Sequence, residues 1–119
     1  MQKCRKLDSQ LDDPIAACRR YFDAIVARDL EAVLESMTPE YGGQLRELRR
    51  APDFGAFFSL WCETQGRLVS IVSCTTGGER ANAVLDTGET LVRATLRRCA
   101  DRWLVDAECE LKRHRSVTR

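Results

Sequence analysis

Residues 67–111 read RLVSIVSCTTGGERANAVLDTGETLVRATLRRCADRWLVDAECEL, and this stretch decides the fold class. Apolar and polar residues alternate along it with a period of two, and β-branched residues are frequent. Turn-forming residues interrupt the alternation at 75–78, 87–88 and 100–102. Four strands separated by such short turns are expected to pair as an antiparallel meander.

The last of these strands, at 103–111, has the clearest alternation. Its apolar positions are expected to face the core, and they are Trp103, Val105, Ala107, Cys109 and Leu111. The carboxylates between them are expected to face solvent or a partner sheet, and they are Asp106, Glu108 and Glu110. Because acid–base catalysis needs a titratable group inside a cleft, this placement predicts no converging pair of carboxylates.

The chain before Gly66 repeats its apolar residues about every 3.6 positions and therefore predicts helices. Each predicted helix follows a residue that commonly caps helices, and these residues are Asp13, Asp29, Thr38 and Asp53. Gly66 is expected to end the last helix. Helices followed by a meander define an α+β class, in which the helices pack on one face of a curved sheet of about four strands. Such a cone-shaped domain leaves room for a pocket at its wide end.

The last predicted helix carries aromatic side chains at helical spacing, namely Phe54, Phe57, Phe58 and Trp61. Core filling is the usual role of such a stripe. If the cone stays open, the same side chains instead line an apolar pocket, which is typical of small-molecule sites. We expect Tyr21, Phe58 and Trp61 to form the wall of this pocket.

The composition indicates a single domain without a strong charge of either sign. Nineteen Lys and Arg residues against 18 Asp and Glu residues give a net charge of +1, which removes the electrostatic basis for nucleic-acid binding. A hydrophobic content of 44% argues against disorder. Within the domain, 1–119, we expect an arm at 1–11, helices within 12–66, the sheet at 67–111 and a basic tail at 112–119.

The six cysteines are the unusual feature of the composition. The first residues lack the apolar segment of a secretory signal, and no run of about 18 apolar residues is long enough to span a membrane. We therefore expect a cytoplasmic protein with free thiols and no membrane association, although a mature chain that had lost its leader would read the same way. Because the cysteines form no C-x-x-C pair and the one histidine is His114, we expect no metal and no cofactor.

Short motifs near both ends of the predicted domain carry a resemblance to a known family. The first helix has Phe22, Ala24 and Asp29 in an F-x-A-x-x-x-x-D frame, and the last strand opens with W-x-V-D at 103–106. Over residues 12–111 the chain resembles the nuclear transport factor 2-like superfamily, in particular its small cystatin-like bacterial members of unknown function. The resemblance implies a cone-shaped α+β fold.

The resemblance also implies a homodimer, since members of this superfamily often pair through their sheets. The exposed sheet face is expected to carry Arg93, Arg97, Leu104 and Glu108. Mixed charges around an apolar residue suit a contact across a two-fold axis.

Two classes of function follow from these expectations. The first is non-enzymatic and consists of binding a small apolar ligand or a protein partner. The alternative is an isomerase or dehydratase that acts on a cyclic hydrophobic substrate in the cone pocket. Ketosteroid isomerases of the resembled superfamily carry an oxyanion-binding tyrosine in a frame similar to that of Tyr21, but this sequence shows no match for their carboxylate base. A buried carboxylate or histidine in the cavity would distinguish the enzyme from the binding protein.

Overall fold

The computed structural model describes residues 12–113, in which the helices precede the strands. The helices are α1 (Pro14–Ala27), α2 (Leu30–Glu35), α3 (Pro39–Leu48) and α4 (Phe54–Gln65). The strands are β1 (Ser70–Gly77), β2 (Arg80–Asp86), β3 (Thr90–Cys99) and β4 (Arg102–Arg113). These elements confirm the predicted α+β class.

The observed elements lie close to their predicted positions, except at two strand ends. Strand β1 continues to Gly77 through residues 75–77, which the sequence placed in a turn. Strand β4 continues through Lys112 and Arg113, which the sequence placed in the basic tail. The predicted arm at 1–11 and the remaining tail at 114–119 lie outside the described residues, and Cys4 and His114 lie there with them. Within 12–113, no helix combines the length and the apolar character needed to cross a membrane.

Helix starts follow the capping residues that the sequence predicted, with one exception. Asp13 and Asp29 each accept a hydrogen bond from the N–H three positions later, at 2.8 and 3.2 Å. The Thr38 hydroxyl accepts the N–H of Tyr41 at 3.2 Å. Asp53 precedes α4 but makes no side-chain capping bond, and that part of the prediction is wrong.

The strands pair in chain order as an antiparallel meander, β1-β2-β3-β4, and the helices pack on one of its faces. Helix α1 crosses this face and contacts β1, β2 and β4. The core between them consists of small and aliphatic strand residues under larger helix residues; it includes Ala83, Leu85, Ala94, Leu96, Val105, Cys18, Phe22 and Ile25. Burial of this apolar surface is the main stabilising contribution to the fold.

A β-bulge interrupts β4 shortly after its start. Val105 pairs with Leu96 and Ala107 pairs with Thr95, which leaves Asp106 as an extra residue without a partner position on β3. A bulge places two residues of one strand opposite one residue of its neighbour. The alternation of side chains therefore shifts by one position after Val105.

This shift corrects the predicted orientation of the second half of β4. Trp103 and Val105 are buried as expected, whereas the apolar residues beyond the bulge are exposed, namely Ala107, Cys109 and Leu111. Glu108 pairs with the buried Ala94 and shares its inward orientation. The prediction that Glu108 faces solvent is wrong, because the period of two does not continue through a bulge.

The bulge lies where the junction between α2 and α3 joins the sheet. The N–H of Thr38 donates to the carbonyl of Val105 at 2.9 Å, and the N–H of Val105 donates to the carbonyl of Ser36 at 2.8 Å. The Thr38 hydroxyl also donates to the carboxylate of Asp106 at 2.7 Å. These bonds cover part of the edge of β4 and set the position of α3 relative to the sheet.

Candidate functional site

Two phenols converge on one carboxylate at the interface between the helices and the sheet. The hydroxyl of Tyr21 donates to Oε1 of Glu108 at 2.7 Å, and the hydroxyl of Tyr41 donates to the same oxygen at 2.6 Å. We refer to these three residues as the Tyr–Glu–Tyr cluster. The sequence predicted none of its hydrogen bonds, because Glu108 was assigned to the opposite face of the sheet.

Each member of the cluster is positioned by a different element. Tyr21 lies on α1, is 1% exposed and packs edge-on against Phe22 with ring centroids 5.4 Å apart. Tyr41 lies in the first turn of α3, where the Thr38 cap holds its backbone. Glu108 reaches the cluster because of the bulge in β4. The cluster therefore connects three segments that are distant in the sequence.

Burial controls the ionisation of the cluster. It raises the pKa of Glu108 above its usual value, and the hydrogen bonds from Tyr41 and Tyr21 oppose this rise only partly. Burial, followed by the nearby charge of Glu108, raises the pKa of both tyrosines. The phenols therefore remain protonated donors at neutral pH, while the proton affinity of Glu108 moves toward the neutral range.

The two oxygens of the Glu108 carboxylate have different surroundings. Oε1 accepts both phenol hydrogen bonds. No group within residues 12–112 donates a hydrogen bond to Oε2 of Glu108, which is half-buried and borders a cavity. A carboxylate oxygen can accept further hydrogen bonds beyond those of its partner oxygen. Oε2 is therefore available to a molecule that enters this cavity.

The cavity beside Glu108 has a volume of about 560 Å³ and is referred to below as the main cavity. The end of α4, the turn between β2 and β3, and the second half of β4 form its walls. Its lining residues are Tyr41, Glu63, Thr64, Gln65, Gly66, Arg67, Val69, Thr87, Glu89, Thr90, Val92, Glu108, Cys109 and Glu110. Most of these residues are polar, which differs from the apolar pocket expected from the sequence.

The charged residues of the main cavity are predominantly acidic. Arg67 is the one basic residue among the lining residues, against the carboxylates of Glu63, Glu89, Glu108 and Glu110. Glu63 lies 3.7 Å from the guanidinium of Arg28, a distance at which an exposed ion pair contributes little. Acidic side chains therefore outnumber basic ones among the lining residues.

The three residues predicted to line a pocket occupy different surroundings. Tyr21 is buried in the Tyr–Glu–Tyr cluster. Phe58 is 7% exposed and belongs to the core, where it stacks on Trp61 with ring centroids 6.0 Å apart. Trp61 is half-buried and borders a smaller cleft between α3 and α4. Phe58 and Trp61 are therefore in contact with each other. Tyr21 is linked to the main cavity by its hydrogen bond to Glu108, which lines that cavity.

The smaller cleft has a volume of about 260 Å³ and a largely apolar lining. Its residues are Met37, Tyr41, Gln44, Leu45, Leu48, Phe57 and Trp61. Tyr41 borders both this cleft and the main cavity. The aromatic face of the last helix, which the sequence identified, contributes to this cleft and to the core.

Cysteine and metal chemistry gain no support within residues 12–113. Burial raises the pKa of the Cys18 thiol to about 12, and the thiol therefore remains protonated near neutral pH. The described cysteines are free thiols, and they are Cys18, Cys62, Cys74, Cys99 and Cys109. In the same part of the chain, no group of three or more His, Cys, Asp or Glu side chains is arranged to hold a metal ion.

The sequence matches no family model and no curated protein. Among solved structures, the fold is similar to the solution structure of a SEC-C motif containing protein from Rhodopseudomonas palustris. The two proteins share 18% sequence identity with a TM-score of 0.55, over 89% of this chain and 86% of that chain. At this level of identity the similarity concerns the fold alone.

Proposed function

We propose that the main cavity binds a small molecule and that Glu108 anchors it. The observation that carries this proposal is the unequal use of the Glu108 carboxylate. Both phenols donate to Oε1, and no group among the described residues donates to Oε2. Glu108 is half-buried and its Oε2 is accessible to solvent, so that a ligand can replace the water that would otherwise hydrate this oxygen. A ligand that donates a hydrogen bond to Oε2 would complete the hydrogen bonding of the carboxylate.

The proposed ligand is polar, in contrast to the apolar ligand that the sequence suggested. Val69 and Val92 are the aliphatic residues among those that line the cavity, and the remainder is mainly charged, hydroxyl or amide side chains. Sites of this kind recognise a ligand through a few directed polar contacts. Glu108 would provide one such contact, and Thr90 and Gln65 line the same cavity and could provide others.

We also retain the proposal that the domain belongs to the nuclear transport factor 2-like superfamily. The residues of the sequence motifs occupy positions that support it. Phe22 and Ala24 are buried on α1, and Asp29 caps the next helix. Trp103 and Val105 are buried at the start of β4. The helices-first order and the four-stranded meander are also compatible with this family.

A ligand screen with a matched pair of variants tests the binding proposal. Small polar molecules are screened by native mass spectrometry and thermal unfolding against the unmodified protein, Glu108→Gln and Glu79→Gln. Glu79 is exposed at the turn between β1 and β2, at the opposite end of β2 from the cavity. We expect ligands that bind the unmodified protein and Glu79→Gln but lose roughly tenfold or more in affinity for Glu108→Gln.

Tyr41→Phe provides a second variant in case Glu108→Gln does not fold. It removes one of the two hydrogen bonds to Oε1 and leaves the carboxylate in place. We expect a smaller loss of affinity than for Glu108→Gln, because Tyr21 still donates. The proposal is rejected if no ligand is found or if every ligand binds Glu108→Gln as well as it binds the unmodified protein.

A specific observation also supports the enzymatic alternative. A carboxylate in the cavity is the feature expected of an isomerase or dehydratase, and Glu108 is such a carboxylate. Burial raises its pKa, and a carboxyl group near its pKa can both accept and return a proton. In an isomerisation, ionised Glu108 would take a proton from a carbon next to a carbonyl group and return it to another carbon of the same substrate.

Hydrogen–deuterium exchange tests the enzymatic alternative. Cyclic ketones are incubated with the protein in deuterated water, and incorporation of deuterium next to the carbonyl is followed by nuclear magnetic resonance. We expect exchange that falls about 100-fold or more in Glu108→Gln and is unchanged in Glu79→Gln. Exchange at the uncatalysed rate with every ketone would exclude proton transfer and leave the binding proposal intact.

A further inference from the structure

Glu108, which lines the main cavity, is a carboxylate that accepts hydrogen bonds at one of its two oxygens. Glu108 receives two hydrogen bonds, both from neutral phenols and both at Oε1. No arginine or lysine side chain of residues 12–112 forms an ion pair with it. Glu108 is half-buried, and a carboxylate that has lost part of its hydration without gaining a cationic partner is less favourable than the same group fully in water.

The groups that face Glu108 from the surrounding elements do not supply the missing positive charge. Cys18, Tyr21 and Tyr41 interact with Glu108 directly, whereas the other charged groups line the same cavity, and they are Glu63, Arg67, Glu89 and Glu110. Arg67 is the basic member of this set, and its guanidinium forms no ion pair with Glu108. Acidic groups outnumber basic ones, and the cavity therefore disfavours anions.

We infer that the ligand of the main cavity is a small organic cation, of the primary or secondary amine class, whose ammonium group binds Oε2 of Glu108. This inference rests on the proposed ligand site and adds the chemical class of the ligand. An ammonium group donates charge-assisted hydrogen bonds, which are stronger than those from a neutral alcohol or amide. It supplies both the charge and the donor that the carboxylate lacks.

Competing ligand classes fit the same observations less well. A carboxylate or phosphate would meet the carboxylates of Glu89 and Glu108 at the cavity walls. A neutral alcohol would satisfy the hydrogen bond of Oε2 and leave the charge of Glu108 unpaired. An amine satisfies both requirements, and its hydrocarbon part would contact Val69 and Val92.

Proton linkage follows from this assignment. Without a ligand, burial holds the pKa of Glu108 above its usual value. A bound ammonium ion favours the ionised carboxylate and lowers that pKa. Amine binding therefore releases a proton wherever Glu108 is partly protonated in the free protein, and the affinity for amines rises as the pH rises through the pKa of Glu108.

Compounds that share a carbon skeleton and differ in charge test the inference. Benzylamine, benzyl alcohol and benzoate, together with the corresponding cyclohexyl compounds, are titrated by calorimetry at low salt. We expect the amines to bind roughly tenfold or more tightly than the alcohols, and the carboxylates to bind most weakly. Repeating the titrations in buffers of different ionisation enthalpy should reveal proton release for the amines alone.

The variants connect the charge preference to Glu108. Glu108→Gln should reduce amine affinity roughly tenfold or more and abolish the proton release, whereas Glu79→Gln should change neither. Tyr41→Phe, which leaves the carboxylate in place, should keep the preference for amines over alcohols even if it weakens binding.

Different outcomes of these experiments test the cation assignment and the proposed ligand site separately. Alcohols that bind as tightly as amines, with an affinity that still depends on Glu108, overturn the cation assignment and leave the ligand site standing. Tightest binding by the carboxylates would likewise overturn the cation assignment and leave the proposed ligand site standing. If none of the compounds binds, the cation assignment and the proposed ligand site are both rejected.

Discussion

Glu108 shows how strongly the surroundings of one residue determine its chemistry. An exposed glutamate on a strand is a solvated charge with an ordinary pKa. Here the bulge turns the same residue inward, where two phenols donate to one oxygen and burial raises its pKa. Asp106, next but one in the sequence, instead pairs with the Thr38 hydroxyl and lies 3.6 Å from the guanidinium of Arg80.

The ionisation of Glu108 predicts a pH dependence of stability that the variant Glu108→Gln removes. Its folded-state pKa is raised above the usual value of about 4.5, and its contribution to stability is therefore complete below that value. The contribution is lost as the pH rises through the folded-state pKa. Relative to Glu108→Gln, the unmodified protein should lose stability as the pH increases, since the amide keeps an oxygen that accepts from both phenols.

Urea unfolding of both proteins from about pH 4 to about pH 8 measures this difference. Glu79→Gln serves as the control because Glu79 is exposed, and its stability should follow that of the unmodified protein. A stability difference that is constant over the whole range would contradict the raised pKa. A difference of opposite sign would mean that the ionised form is the one favoured by folding.

At the scale of secondary-structure elements, the junction between α2 and α3 determines the position of Tyr41. Thr38 is fully buried and uses one hydroxyl twice, as the cap of α3 and as a donor to Asp106. Its backbone N–H bonds to β4 at the same point. The junction thus fixes the first turn of α3 against the bulge, and Tyr41 lies in that turn opposite Glu108.

Replacement of Thr38 by valine should therefore weaken both the helix cap and the attachment to the sheet. Valine has nearly the same shape, and the loss is due to the hydroxyl. We expect a decrease of about 1–2 kcal/mol in the free energy of unfolding, measured by urea denaturation. Thr38→Ser keeps the hydroxyl and should retain most of the stability. A larger loss for Thr38→Ser than for Thr38→Val would show that the methyl group, and not the hydroxyl, is responsible.

At the scale of the whole molecule, the helices leave one face of the sheet uncovered in the described part of the chain. The sequence predicted that this face pairs with a second copy, partly because Glu108 was expected on it. Glu108 faces the other way, and the face instead exposes Ala107 and Cys109, the latter paired with Arg93 of β3. The homodimer remains a prediction, now based on these apolar side chains.

Light scattering tests the homodimer directly. We expect a mass of twice 13.5 kDa at high protein concentration. Ala107→Arg adds a cation to a face that already holds Arg93, and it should shift the mass toward the monomer because like charges repel across a two-fold contact. Ala56→Arg on the exposed side of α4 is the matched control. A mass of 13.5 kDa at every concentration would exclude the dimer.

The fold class could be predicted from the sequence because its signals are local. The change of period after Gly66, the caps at Asp13, Asp29 and Thr38, and the turns between strands each act over a few residues. The resulting order of helices and strands agrees with the observed order. Boundaries were less accurate where a strand continues into polar residues, as β4 does at Lys112 and Arg113.

The candidate site depended on the tertiary structure. The residues of the Tyr–Glu–Tyr cluster are far apart in the sequence, and the bulge that brings Glu108 to the tyrosines leaves no interruption in the alternation of 103–111. The bulge lies where Ser36 and Thr38, which are distant in the sequence, form hydrogen bonds with β4. The local pattern of residues therefore determined which elements form, whereas only their packing decided which face of β4 carries the carboxylates.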